Sequence, residues 1–252
     1  MLRGVVADER AAFIVVTEGR VYVNGQKAIS PGQMVSEDDV IEVRPGREFV
    51  GRGAEKLQAA IERFGVDVRG KVCADVGAAT GGFTEVLLKH GAKTVYAIDA
   101  GRGKLDLKLR QDPRVVVLEE ANVLTMPPLP EPVDLITIDV SLTSLRRVLP
   151  VVRPWLRLLY YSRDRENNTT MEERQEGSGS AVISLFKPQY EVDDKSLLKH
   201  GILEDEGARL KLIERFRAWL REHSWREIGF TESPIRGSEG NVEYLFHLVP
   251  RQ

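Results

Sequence analysis

The strongest constraint on this chain is an apolar strand-like segment, residues 72–76, that runs directly into Gly77-Ala78-Ala79-Thr80-Gly81-Gly82-Phe83 and then into a helical pattern. Glycines let a backbone approach a ligand closely, and the first turn of a helix offers N–H groups that have no partner within the helix. Strand, turn and helix in that order predict a ligand-binding edge of a parallel sheet. Asp99 closes the next apolar run, where a carboxylate accepts both hydroxyls of an adenosine ribose.

The chain beyond residue 48 keeps this alternation. Apolar periodicity predicts helices over 54–64, 83–89, 104–110, 144–158 and 204–222. Strands are expected at 72–76, 94–99, 115–118, 135–139, 182–186, 226–231 and 242–248. The pattern describes an α/β, Rossmann-like fold, a mostly parallel seven-stranded sheet with helices on both faces. The last two strands are joined by a link short enough for an antiparallel pair. Residues 160–180 break the pattern. They are polar, contain Asn167-Asn168-Thr169-Thr170 and end in Gly177-Ser178-Gly179-Ser180, which predicts a mobile surface loop.

Residues 1–48 read as a separate small domain. Val21-Tyr22-Val23 precedes Asn24-Gly25, a strong hairpin signal, and a further strand is expected over 40–43. A helix over 8–17 is expected to pack on this sheet, and Arg44-Pro45-Gly46-Arg47 reads as a linker to the second domain, 49–252.

The turn also discriminates among cofactors. A dinucleotide site requires G-x-G-x-x-G, whereas the spacing here is Gly77-x-x-x-Gly81-Gly82, without the lysine and hydroxyl residue that complete a P-loop. An acid just before the first glycine, Asp75, suits a ligand with an amino-acid end and a cationic sulfur. S-adenosylmethionine is therefore the expected cofactor, held by Asp75, Gly77, Ala78, Thr80, Gly81, Gly82, Phe83 and Asp99. Asn122, after the third strand, is placed at the adenine edge, with a turn role as the alternative. No metal is expected.

Composition narrows the class. The 36 basic and 38 acidic residues leave a net charge of −2, so any nucleic-acid site must be local. Arg146, Arg147, Arg153, Arg157, Arg163 and Arg165 form the one basic run, read as phosphate contacts or as solvated helix surface. No apolar run is long enough to span a bilayer, no secretory leader is visible, and the single cysteine, Cys73, cannot form an internal disulfide; a cytoplasmic protein is expected.

The turn with Asp99, the segment Leu109-Arg110-Gln111-Asp112-Pro113-Arg114-Val115, Thr137-Ile138-Asp139-Val140-Ser141 and Phe186-Lys187-Pro188-Gln189 together resemble the TlyA-type proteins. These are also called haemolysin A, and they are relatives of the FtsJ-type ribosomal RNA 2′-O-methyltransferases. The resemblance implies a small RNA-binding domain of the ribosomal-protein S-four type ahead of the methyltransferase domain, with ribosomal RNA or a ribosomal subunit as partner. It also implies a catalytic tetrad of Lys56, Asp139, Lys187 and Glu243, with Asp139 near the cofactor as well. Asp139 and Lys187 end parallel strands and Glu243 begins an opposed one, so these three reach one rim, where doubly wound sheets bind ligands. A ribose hydroxyl is a poor nucleophile, so methyl transfer needs proton removal and alignment; Lys187 is the expected base, Lys56 its partner, and the two acids hold them.

The chain departs from the family pattern in several places. It has Gly51-Arg52-Gly53-Ala54 where Ser-Arg-Gly-Gly is usual, lacks an aromatic residue near Arg102, and has Leu142 where a phenylalanine is usual. Its first domain is shorter than the family's, with the family's first recognition helix expected to be missing ahead of the hairpin, and residues 160–180 replace a tight turn. Three rival readings remain at this point: a catalytically weak RNA-binding or ribosome-assembly protein, a membrane-active haemolysin, and a small-molecule O-methyltransferase.

Overall fold

In the computed structural model the described residues are 6, 8–17, 19–44, 49–157 and 179–251. Two compact units divide at Glu48/Phe49. The first holds helix α1 (Glu9–Thr17) and an antiparallel sheet of β1 (Val21–Val23), β2 (Gln26–Lys27) and β3 (Ile41–Val43), in the order β2-β1-β3. Asn24 and Gly25 both adopt positive φ, as a tight hairpin turn demands. Asn24 also fixes the third strand, because its side chain accepts from Val40 N–H at 2.9 Å and donates to Asp39 at 2.7 Å. Ala12, Phe13 and Val16 of α1 line an apolar cleft together with Val21, Val23 and Ile41 of the sheet.

The second unit is a three-layer α/β fold. Its elements are α2 (Gly53–Phe64), β4 (Val72–Val76), α3 (Gly82–Lys89), β5 (Thr94–Ile98), α4 (Leu107–Arg110), β6 (Val115–Leu118), β7 (Leu135–Ile138), α5 (Leu145–Val152), β8 (Ala181–Phe186), α6 (Glu206–Glu222), β9 (Trp225–Glu232) and β10 (Tyr244–Pro250). The seven strands lie in the order β6-β5-β4-β7-β8-β10-β9, with β10 antiparallel to both neighbours and the other contacts parallel. Sequence order therefore reverses between β4 and β7, the switch point at which such sheets open a crevice. Period-two alternation divides the core between the two faces. Val72, Ala74, Val76, Ile136 and Ile138 face α5 and α6, while Cys73, Leu135, Ile183, Leu185 and Leu245 face α2 and α3.

Two helices are shorter than the apolar periodicity predicts. Helix α5 stops at Val152 and passes into a tighter turn over Arg153–Trp155, because Pro150 and Pro154 interrupt the backbone ladder. Helix α4 is four residues long, starting behind Asp106, whose carboxylate caps Lys108 N–H at 2.9 Å. Glu243 precedes the last strand, which begins at Tyr244, rather than opening it. Residues 45–48 of the linker, and residues 160–178 of the expected loop with Arg163 and Arg165, lie outside the described residues.

The glycine turn is locked by its neighbours. Gly77 has φ +90°, and a Cβ there would sit 2.2 Å from the Asp139 carbonyl oxygen; Gly81 has φ +96°, and a Cβ there would strike Leu109 and Leu105. A Cβ on Gly82 would fall 2.9 Å from Ala54 N, so the start of α2 and the turn meet backbone to backbone. We expect Gly77→Ala to cost about 3 kcal/mol or more by denaturant unfolding. Gly70→Ala, at φ +70° but with open space around it, should cost only about 1 kcal/mol.

A buried histidine gives the fold a pH term. His247 on β10 stacks on Phe64 of α2 at 5.5 Å, across from Gly229, where a Cβ would collide with the Phe64 ring. Burial, aided by Lys71, holds its pKa down to about 4. The unfolded chain therefore takes up a proton below about pH 6.5 that the folded protein does not, and the stability present above that pH is lost as pH falls towards 4. We expect wild type to lose roughly 3 kcal/mol relative to His247→Leu between pH 7 and pH 4, measured by urea denaturation at each pH.

Candidate active site

The carboxyl ends of β4, β7 and β8 converge on one rim. Val76 pairs with Ile138, and Asp139 N–H donates to the Val76 carbonyl at 2.9 Å, so Asp139 emerges beside Gly77. Phe186 pairs with Tyr244 across the antiparallel β8–β10 contact, which brings Lys187 and Glu243 side by side just beyond it. Lys56 approaches from α2, whose first residue, Gly53, would carry a Cβ only 3.8 Å from Asp139 Oδ2. Residues three apart on a helix share a face, so Lys56 follows Gly53 towards the rim.

These four side chains form two ion pairs. Lys56 Nζ lies 2.5 Å from Glu243 Oε2, with the side chains 9% and 3% exposed. Lys187 Nζ lies 2.7 Å from Asp139 Oδ1, with the side chains 11% and 22% exposed. Lys187 also donates to Ser141 Oγ at 3.1 Å, and its ammonium lies 5.9 Å from the centre of the Tyr190 ring. The direct partner of Lys187 is thus Asp139, and that of Lys56 is Glu243; no contact between the two ammonium groups is seen. Lys187–Asp139 is half-buried, whereas Lys56–Glu243 is buried, and removing one member of the latter leaves an uncompensated charge at a cost of about 3–5 kcal/mol.

The turn residues divide into those facing the crevice and those within the wall. Asp75 is fully buried, and its two oxygens accept from Thr84 Oγ1 at 2.7 Å and Thr137 Oγ1 at 3.0 Å. Burial pushes its carboxyl up to about 6 despite both hydroxyls. The structure therefore gives Asp75 no open face for a ligand; it fastens β4 to α3 and β7 from inside. Asp99 accepts from Ala79 N–H at 2.9 Å, Gly101 N–H at 2.7 Å and Lys104 Nζ at 3.2 Å, while its side chain stays 13% exposed. The two backbone donors and Lys104 hold its pKa below the ordinary carboxylate value against the opposing effect of burial. Ala78 and Phe83 are buried, and Thr80 is exposed on the turn, close to the place where a Gly51 side chain would begin. Asn122 is exposed, and its Oδ1 accepts from Leu124 N–H at 3.0 Å, the local turn role.

The basic run serves the fold more than the surface. Arg146 binds Glu191, Arg153 donates to the carbonyls of His223 and Arg251, and Arg157 pairs with Asp134 at 2.8 Å. Among the described members of the run, Arg147 alone is exposed without a recorded partner. Sequence reasoning missed Ser141 as a contact of Lys187, and it missed Gly51, where a Cβ would strike the Thr80 hydroxyl, and Gly53, which brings α2 into ordinary contact with Phe83. The pair of glycines flanking Arg52 was the available signal.

The model of the FtsJ-like methyltransferase family matches residues 49–249. Over 250 residues, covering 98% of this chain and 86% of the relative, the chain is 36% identical to the 16S/23S rRNA (cytidine-2′-O)-methyltransferase TlyA of Mycobacterium tuberculosis. It is 35% identical over 238 residues to Hemolysin A of Brachyspira hyodysenteriae, covering 93% of this chain and 91% of that one. A Streptococcus thermophilus protein titled as a hemolysin superposes with a TM-score of 0.72 at 30% identity, covering 99% of this chain and 86% of the other. Among the described residues no helix is long and apolar enough to cross a membrane, and no cluster of His, Cys, Asp and Glu could hold a metal ion. With the sheet order, the glycine turn at its switch point and these relatives in agreement, the chain belongs to the FtsJ-like methyltransferase family, among its TlyA-type members.

Proposed function

We propose that this protein uses S-adenosylmethionine to methylate a ribose 2′-hydroxyl of ribosomal RNA. The observation that carries the reading is two ion pairs, Lys187–Asp139, half-buried, and Lys56–Glu243, buried, on the rim where the glycine turn opens. The chain's own residues fit the cofactor. Gly77, Gly81 and Gly82 leave the turn without side chains, and Asp99 keeps exposed carboxylate surface at the end of β5, where ribose hydroxyls are accepted. When bound, S-adenosylmethionine supplies an electrophilic methyl group. Asp75 acts as a positioning residue for that turn through Thr84 and Thr137.

Lys187 is assigned the proton of the 2′-hydroxyl, which its Nζ accepts as the neutral amine after releasing one of its own protons to solvent. Asp139 and Ser141 fix Nζ from two sides, so the side chain has little rotational freedom left to lose when substrate arrives. Lys56 and Glu243 make the second wall; with Glu243 almost wholly buried, its charge holds the lysine in a single place. Arg52 and Arg236, both exposed and bridged by a hydrogen bond from Arg52 to the Arg236 carbonyl at 3.3 Å, add positive charge beside that pair. Such groups position phosphates without reading sequence. The first unit, with its hairpin and helix, is assigned to RNA docking as a domain of the ribosomal-protein S-four type. The relatives' substrate makes a cytidine of ribosomal RNA the first target to examine. With ribosomal RNA as the proposed substrate, the cytoplasm is the proposed location.

Incubation with labelled S-adenosylmethionine and ribosomal subunits, followed by mapping of the modified nucleotide, tests the reading as a whole. Lys187→Ala should lower the rate of transfer by about 10²–10⁴-fold, while cofactor affinity by calorimetry stays within about twofold. Retention of full activity would remove Lys187 as the base. Lys56→Ala should cut both activity and stability, the latter by about 3 kcal/mol, because Glu243 is left buried and unpaired.

A further inference from the structure

We propose that Glu191 is a positioning residue that clasps the loop after β7 to the loop after β8 and thereby sets Asp139 and Lys187 in register; the inference rests on reading that pair as the reaction centre. Each of those residues stands at the mouth of a loop. Asp139 opens the stretch 139–144 that leads into α5, and Lys187 opens the stretch 187–193 that begins with the turn Pro188–Tyr190. Parallel strands hold β7 and β8 together only as far as the Ile138–Ser184 pair. Beyond that point the two loops need another tie.

Glu191 supplies it. The residue is 4% exposed, and its Oε1 accepts Leu145 N–H at 2.7 Å, an orphan donor in the first turn of α5. Its Oε2 accepts the Ser144 hydroxyl at 2.6 Å and Arg146 Nε at 3.3 Å. Arg146 returns across the same gap, with Nη2 donating to the Glu191 carbonyl at 3.2 Å and lying 3.7 Å from Asp193. Ser144 also caps α5 on its own, accepting Arg146 N–H at 3.1 Å. A helix that already has an N-cap gains little from a second acid 46 residues away in sequence unless that acid fixes another segment.

The clasp matters because the Lys187–Asp139 contact spans the same two loops. Lys187 Nζ touches Asp139 and Ser141, both on the first loop, while its own backbone belongs to the second. Between Ser141 and the clasp lies Leu142, at φ +63° and 87% exposed, a left-handed leucine that its flanking contacts must hold. If the loops drift apart, the ammonium loses either its carboxylate or its hydroxyl, and the base moves relative to the substrate oxygen. A misplacement of about 1 Å can cost about 10²-fold in rate. The cofactor turn, residues 77–83, makes no recorded contact with Glu191 and should be unaffected.

The test uses the full chain and compares wild type with Glu191→Ala and Glu191→Gln. In the alanine variant, amide hydrogen exchange should rise together in residues 140–146 and 187–193 and stay unchanged in 77–83. Its kcat should fall about 10–100-fold, while the RNA KM and the S-adenosylmethionine affinity stay within about threefold. Glutamine keeps one acceptor for Leu145 N–H and a polar contact with Ser144, so Glu191→Gln should recover most of the lost rate. Exchange that rises in one loop only, or a wild-type kcat in a folded Glu191→Ala, overturns the proposal, as does a fall in thermal stability with no change in kcat. Should Glu191→Ala fail to fold, Ser144→Ala reads the same clasp through one partner, and an unchanged kcat and exchange there likewise overturn it. If wild type methylates no RNA, the proposed reaction fails, while the exchange data still decide whether the two loops are coupled.

Discussion

Everything near the rim depends on one close approach, that of the Gly77 backbone to the carbonyl of Asp139. At the point where β4 and β7 part, a Cβ on residue 77 would lie 2.2 Å from that oxygen, so only glycine lets the two strand ends stay adjacent. The positive φ of Gly77 turns the chain into α3, and the Val76–Ile138 pairing delivers Asp139 beside it. Gly82 and Gly51 repeat the device one turn on, where α2 lies on the turn with backbone against backbone. Three missing side chains thus bring a helix and two strands close enough for Lys56, Asp139 and the turn to share one crevice.

The same compactness forces charge into the interior. Asp75 has no solvent contact and is held by two hydroxyls, neither of which carries a compensating charge, so burial raises its pKa to about 6. His247 shifts the other way, to about 4. Their linkage effects oppose one another. As pH falls from 6 towards 4, the folded protein gains a favourable proton at Asp75 while the unfolded chain gains one at His247. Between pH 6 and 4 these two buried groups on the α2–α3 face of the sheet, one at its centre and one towards its edge, therefore pull the stability in opposite directions.

Much of this was legible in the sequence because local rules act over short spans. Period-two apolar runs marked the strands, the glycine spacing marked the turn, and Asn24-Gly25 marked the hairpin, each within a few residues. The pairing of charges was not legible. Lys56 and Glu243 stand 187 residues apart, and only the placement of β10 between β8 and β9 brings Glu243 to α2 rather than to solvent. Asp75 was read as a ligand residue because an acid just before the first glycine suits an amino-acid end and a cationic sulfur. In the fold its carboxylate is instead occupied from inside by Thr84 and Thr137, neither of which looks special in sequence. The arginine run read as surface for a similar reason: its partners, Glu191, Asp134 and the carbonyls of His223 and Arg251, come from four different segments.

Charge balance at the rim bears on how the proposed reaction centre can work. Lys56, Lys187, Asp139 and Glu243 sum to zero, and each cation is neutralised within its own pair. A neutral centre neither repels a sulfonium nor draws in a polyanion, so it leaves long-range attraction of RNA to other surfaces. The whole chain, at −2, offers none by net charge. Under the proposed function, attraction of RNA falls to exposed guanidinium groups such as Arg52, Arg147 and Arg236, while the rim acts at short range through alignment. Such a division sets a demand on the scaffold. A base that relies on placement rather than on field strength tolerates little slack in the loops that carry it, and in this fold those loops are joined by side chains beyond the last strand pairing.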